Sequence, residues 1–280
     1  MATPATIIRK PYEAVAGALE EVGKQLGFFG KVLVQVPAAL RPKRIGVVMG
    51  LMSDITIGAG ALIVGGGMIF VIFSMSFFTG TEVGLQGFKG LEQIGAQSFT
   101  GLVASWANTR EVTPLIAGVA FAAQVGAGFT AELGAMRISD EIDALEVMSV
   151  PTFVYLVCTR VVAALLAIIP LYLISLYASY GATYLVTTRF FGLSTGIYNH
   201  YFKLYLPPID ILYSLVKASV FVVVVALIHC YYGYNASGGP EGVGKAVGQA
   251  IRLSIITIVI LNLLLSLFFW GGGNTIHIAG

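Results

Sequence analysis

An all-α protein threaded through a membrane is the fold class this sequence predicts, and three observations predict it. Charged residues make up 11% of the 280-residue chain and hydrophobic ones 57%, whereas soluble domains carry about 25% charge. Uninterrupted apolar runs recur along the chain, and a helix needs about 20 such residues to cross a bilayer. Most of the charge is gathered between those runs. The net charge of +2 gives no case for nucleic acid as a partner.

The N-terminal segment, 1–44, holds seven of the sixteen Lys and Arg. Val15, Leu19, Val22, Leu26 and Phe29 recur at spacings of three and four between Pro11 and Pro37. That stripe suits an amphipathic helix lying in the membrane interface, the alternative being a helix packed on protein. No cleavable leader is expected, because no short apolar run ends in a small-residue cleavage site. Five spans follow within a single domain at 45–270: about 55–79, 112–131, 152–187, 211–232 and 253–270. Gly58, Gly60 and Gly65 to Gly67 mark the first span as one for close helix contact. Segment 81–91 reads as a turn-rich external connection, 188–208 as an aromatic external segment, and 233–248 as a glycine-rich cytoplasmic loop. Pro170 is expected to kink the third span. Basic residues concentrated before the first span put the N-terminus in the cytoplasm and the tail, 271–280, outside.

Two glycine motifs are decoys. Residues 239–246 (G-P-E-G-V-G-K-A) match most of a phosphate-binding loop, but Ala246 lacks the hydroxyl such a loop uses for Mg²⁺, and no strand precedes it. Gly126-Ala-Gly128-Phe-Thr-Ala131 imitates a dinucleotide fingerprint inside an apolar helix, where helix packing explains it better. Cys158 and Cys230 read as buried thiols. His200, His229 and His277 have no metal-ligand spacing. No metal, no catalytic residue and no resident cofactor is expected, so the chain is read as a non-enzyme.

The informative stretch is 130–151. Between two apolar spans it carries Glu132, Arg137, Asp140, Glu141, Asp143 and Glu146. Ser139 is placed to cap a short helix, with Asp140 and Glu141 in the first turn, where negative charge suits the helix dipole. Ile142, Leu145 and Met148 form an apolar edge; Asp143 and Glu146 share another face. At ~1.5 Å per residue this helix is too short to span, so it reads as a docking element. Arg110, Glu111 and Lys217 are the charges expected inside the membrane. Neighbours on a helix point about 100° apart, so Arg110 and Glu111 each need a partner of their own, a pattern that fits a cavity wall. Lys217 is open to two readings: snorkelling outward, or pairing with Glu111 or an anionic headgroup.

Residues 110–148, R-E-V-T-P-L-I-A-G-V-A-F-A-A-Q-V-G-A-G-F-T-A-E-L-G-A-M-R-I-S-D-E-I-D-A-L-E-V-M, resemble the core signature of the MlaE/YrbE permeases. These are membrane subunits of ABC-type lipid transporters in the plasma (inner) membrane. The resemblance implies a multi-pass permease that moves lipids or fatty acids and works with a cytoplasmic ABC ATPase, which consumes the ATP. It also implies MCE-domain proteins on the outer side. By resemblance Glu132, Arg137, Asp140, Glu141, Asp143 and Glu146 form the coupling helix against the ATPase, while Arg110, Glu111 and Lys217 are candidates for the substrate path. Many family members carry arginine where this chain has Gln124. That departure resembles the B-type of paired YrbE subunits in actinobacterial Mce systems and implies a second, different permease subunit. An ion- or proton-coupled secondary transporter and a non-transporting scaffold are the competing readings; the first calls for inverted repeats and broken helices at mid-membrane.

Overall fold

The computed structural model describes residues 4–58 and 67–271, with side chains from residue 20 onward. The described residues form nine helices and no strand. They are α1 (Pro4–Ala39), α2 (Pro42–Thr56), α3 (Gly67–Glu92), α4 (Gln97–Ile138), α5 (Glu141–Val147), α6 (Phe153–Phe190), α7 (Thr195–Leu204), α8 (Pro208–Tyr234) and α9 (Gly239–Trp270). Five of these, α3, α4, α6, α8 and α9, are long and apolar enough to cross a membrane.

The helices outrun the expected spans. The 42 residues of α4 extend about 63 Å at 1.5 Å per residue, roughly twice a bilayer core. The expected second span, 112–131, is only its middle. Likewise α6 continues to Phe190, and Pro170 sits inside its helical run. The expected first span, 55–79, falls partly on residues outside those described; Ile55 and Thr56 end α2, and the apolar helix α3 begins at Gly67.

Segment 81–91 is not a turn-rich connection but the second half of α3. Its glycines mislead because they serve packing. Met68, Ile72, Ser76, Gly80, Gly84 and Phe88 are the buried residues of α3, one every four positions, which is one face of a helix. That face lies on α6. A Cβ on Gly80 would stand 2.7 Å from the Ser179 Cα, and one on Gly84 3.3 Å from the Thr183 Cα. The Thr183 hydroxyl donates to the Gly80 carbonyl at 2.7 Å, and the Ser76 and Ser175 hydroxyls meet at 2.5 Å. In lipid, where apolar burial does not drive helices together, such close approach and side-chain hydrogen bonding replace it.

The expected loop 233–248 is also largely helical. Gly238, at φ 87°, ends the turn, and α9 begins at Gly239 with Pro240 in its first turn, where a missing N–H costs nothing. Lys245 there pairs with Glu241 at 2.7 Å, four residues earlier. The phosphate-loop imitation is thus a helix start.

α4, α6 and α8 make the centre. α3 covers α6, and α9 lies against α8 and α4. Gly118 packs under Phe221 of α8, and Gly126 leaves room for the His229 ring, 2.6 Å from where a Cβ would stand. The dinucleotide-like motif is therefore packing at Gly126, as its setting suggested. Cys158 and Cys230 are free and buried. α7 lies on the first turns of α4, where Gly101 allows the Phe202 amide within 2.9 Å of its virtual Cβ. α1 crosses the start of α6 and the end of α8. It meets them with Phe28, Phe29, Val32 and Val36, leaving Val22, Leu26, Leu33 and Val34 exposed. So α1 has two apolar faces, one of them against its own chain; Val15 and Leu19 lie outside the described side chains.

The chain direction gives the bundle two distinct ends. One carries α1, α5 and the α8–α9 turn; the other carries α7 and Trp270.

Candidate functional site

Towards the Trp270 end, α4, α8 and α9 share a buried polar network. It begins with a backbone irregularity. Residues Asn108–Val112 form a π-helical turn just before Pro114. Proline has no N–H, so the carbonyl four residues earlier, that of Arg110, is denied its usual helical donor. π turns of this kind gather at functional sites. The Lys217 ammonium, fully buried, fills the gap by donating to the Arg110 carbonyl at 2.6 Å. Its remaining bonds go to the Ser266 hydroxyl at 2.6 Å and to Glu111 Oε2 at 3.3 Å. The snorkelling reading of Lys217 is excluded by this burial.

Glu111 is bonded on both oxygens: Asn262 Nδ2 donates to Oε2 at 2.7 Å and Ser266 Oγ to Oε1 at 2.5 Å. Arg110 points elsewhere and meets Asp210, with Nε at 2.9 Å and Nη2 at 2.7 Å from Oδ2. Trp270 Nε1 donates to the other oxygen, Oδ1, at 2.9 Å, and its ring lies 5.2 Å from the Arg110 guanidinium. Arg110 and Glu111 thus do have separate partners. Two cations and two anions cancel, and every charged group has hydrogen bonds, the condition under which buried charge is tolerable. Asp210, Asn262, Ser266 and Trp270 belong to this site and were missed from the sequence. Asp210 sits between Pro208 and the expected span start, and the α9 residues look like ordinary members of an apolar run. Asn262 and Ser266, four apart, are the one signal that a polar stripe runs along that helix.

At the opposite end the acidic stretch folds differently from expectation. Ser139 is not the cap of the short helix. Its N–H still bonds the Ala135 carbonyl at 3.1 Å and its hydroxyl donates to the same atom at 2.9 Å, so it closes α4 instead. The N-cap position is Asp140, held left-handed at φ 59° with no side-chain cap. Ser149, at φ 60°, forms a matching joint after α5. Of the expected apolar edge, Ile142 is fully buried and Leu145 packs on the core, but Met148 is exposed. Seven residues at 100° each carry the edge around the helix, and Met148 falls off its end.

The acids also sort unexpectedly. Arg137 pairs with Asp143 at 2.7 Å. Glu146 Oε1 accepts from Thr152 Oγ1 at 2.8 Å and from the Tyr234 hydroxyl at 3.3 Å. Glu132 pairs at 2.8 Å with the buried Arg160 of α6. Asp140 and Glu141 are exposed and paired with no cation among the described residues. Gln124, in a second π-helical turn (Ala122–Gly126), lines a cavity of about 290 Å³ with Asp54, Phe129 and Glu132. Polar networks therefore stand at both ends of α4, and the structure does not join them.

A helical bundle that could cross a membrane five times, with buried, mutually neutralised charge and a short acidic helix projecting at one end, defines a class: multi-pass membrane transport subunits. The comparisons give the family. The model for Permease MlaE matches residues 57–268, and the chain belongs to that family. A probable ABC transporter permease protein of Rickettsia bellii is 36% identical over 200 residues, covering 71% of this chain and 77% of that one. One from Synechocystis is 32% identical over 199 residues, 71% and 76% of the two chains. The chloroplastic protein TRIGALACTOSYLDIACYLGLYCEROL 1 of Arabidopsis thaliana is 31% identical over 199 residues, 71% of this chain and 57% of its own. The chain is accordingly an ABC-type permease subunit, multi-pass in a membrane, of a class that works with a separate ATPase.

Proposed function

We propose that this subunit carries lipid, and that the Arg110–Asp210 and Lys217–Glu111 pairs stand in the lipid's path. The observation that carries the reading is the pairing itself. A cation donating to a proline-freed carbonyl and to Glu111 (2.6 and 3.3 Å) is a site that a headgroup phosphate can enter by exchange, taking Glu111's place at Lys217 while Asn262 and Ser266 retain the carboxylate. The name of the Arabidopsis relative contains a glycolipid, which supports a lipid for this chain too. Glu132, Arg137, Asp140, Glu141, Asp143 and Glu146 form the coupling end, facing a cytoplasmic ATPase that uses the ATP, and the N-terminus lies on that side with the C-terminus outside. A second permease subunit of the YrbE type, supplying the arginine absent at Gln124, and MCE-domain proteins on the outer side of the plasma membrane complete the assembly.

Two measurements test this on the complex isolated from membranes. Reversing Asp140 and Glu141 to lysine abolishes co-purification of the ATPase while the permease remains folded. Replacing Lys217 and Glu111 together by methionine and glutamine removes bound phospholipid from the purified complex and stops lipid transfer between vesicles. Full transfer by the second variant would remove the path from this site.

A further inference from the structure

The N-terminal helix is tied to the acidic helix through a short relay of aromatic rings. Phe28 on α1 lies edge-on to Phe153 at 5.0 Å and to Tyr231 at 5.4 Å, and 6.3 Å from Tyr234. Phe153 and Tyr234 meet edge-on at 6.0 Å. Such pairs contribute beyond the apolar area they bury. Lys31, one turn along α1, stands 4.5 Å over the Phe153 ring. The Tyr231 hydroxyl donates to Glu21 at 2.9 Å, fixing α1 a second time. At the other end of the relay, Tyr234 and Thr152 hold the Glu146 carboxylate in the last turn of α5. A pocket of about 430 Å³, lined by Lys31, Gln35, Glu146, Thr152 and Tyr234, separates α1 from α5. Besides Ile142 and Leu145, which pack on the core, and the Arg137–Asp143 pair, α5 is held between two left-handed joints, Asp140 and Ser149.

We propose that Phe28 and Tyr234 are positioning residues for the acidic helix: α1, through Phe153, Tyr234 and Glu146, sets the angle at which α5 is presented to the ATPase. This rests on α5 being the ATPase contact. Phe28 locates Phe153 and Tyr234, Tyr234 locates Glu146, and Glu146 stops α5 from turning about its joints.

Hydrogen exchange on the full-length permease in lipid nanodiscs, without ATPase, tests the mechanical part. Phe28→Ala and Tyr234→Phe each raise amide exchange across 140–150 by about three- to tenfold, the effect of losing one such contact, while exchange in the middle of α8 is unchanged. Tyr234→Phe keeps the ring and removes only the hydroxyl, so it remains informative if Phe28→Ala fails to fold. Leu26→Ala, on the exposed side of α1, changes neither region. In the complex with its ATPase, both positioning variants lower lipid moved per ATP hydrolysed with ATP KM unchanged. Unaltered exchange at 140–150 in both variants overturns the proposal, as does altered exchange with full coupling. If reversing Asp140 and Glu141 leaves the ATPase bound, the ATPase reading fails by itself, and the exchange result stands apart from it.

Discussion

Lys217 donates a 2.6 Å hydrogen bond to the carbonyl of Arg110, the carbonyl from which Pro114 withholds the usual helical donor. A lysine of α8 thereby completes the backbone of α4, and the same lysine balances Glu111. Lys217→Met leaves a carbonyl and a carboxylate short of a partner. Glu111, one third exposed, keeps Asn262 and Ser266, so the loss stays below the about 3–5 kcal/mol of breaking a fully buried pair, and the variant melts below the wild type in detergent or nanodiscs. Adding Pro114→Ala returns an N–H to α4 and recovers part of that loss. Strict additivity of the two changes in a thermal double-mutant cycle would show that the carbonyl bond is immaterial.

Asp210 and Trp270 separate a charge effect from a hydrogen-bond effect. Asp210→Asn strands the Arg110 guanidinium and costs about 3–5 kcal/mol. Trp270→Phe keeps a ring over the guanidinium and loses one hydrogen bond, about 1–3 kcal/mol. Thermal melts that rank the two in the reverse order refute the Arg110–Asp210 pair as the centre of that half of the network.

Two glycines of α3 ten residues apart should respond with opposite sign. At Gly80 a Cβ meets the backbone of Ser179, while at Gly90 it meets nothing within 4 Å. Gly80→Ala pushes α3 off α6, at a cost of about 1–3 kcal/mol for overpacking. Gly90→Ala gains up to about 1 kcal/mol from helix propensity. Melting curves of the two variants give the answer directly.

The Arg137–Asp143 pair is exposed, and exposed pairs contribute about 0–1 kcal/mol. Asp143→Ala therefore shifts the melting temperature by no more than roughly 4 °C. A fall as large as that of Asp210→Asn would mean that α5 is held mainly by this bridge.

The fold class was legible because lipid demands long apolar helices whatever else the chain does. The starts of α4 and α9 were not, since both helices run well past the apolar windows that reveal them, whereas α6 ends within three residues of its expected span. Glycine was the recurrent trap. In water Gly80, Gly84, Gly87 and Gly90 would spell turns, but on this helix Gly80 and Gly84 lie four apart on the face against α6, Gly87 meets Val103, and Gly90 faces open space. Arg110, Glu111 and Lys217 stood out because charge inside an apolar run is conspicuous. Their partners did not: Asp210 hides beside two prolines, and Asn262 and Ser266 are neutral. The partners of the acids were not legible either. Asp143 meets Arg137 across the left-handed joint at Asp140, a conformation aspartate tolerates better than most residues but does not impose.

α9 touches the rest of the chain in two unlike ways. Its buried residues, Ala246, Ala250, Ser254 and Ile258, form a single row through its first half and middle; beyond them it is fastened by Asn262, Ser266 and Trp270, through hydrogen bonds to charged groups. A row of packed side chains without hydrogen bonds resists separation more than sliding or rotation, whereas directional bonds to Glu111 and Asp210 resist all three. The helix is therefore fixed in direction at its Trp270 end and merely packed along the rest of its length, so its two halves differ in what holds them.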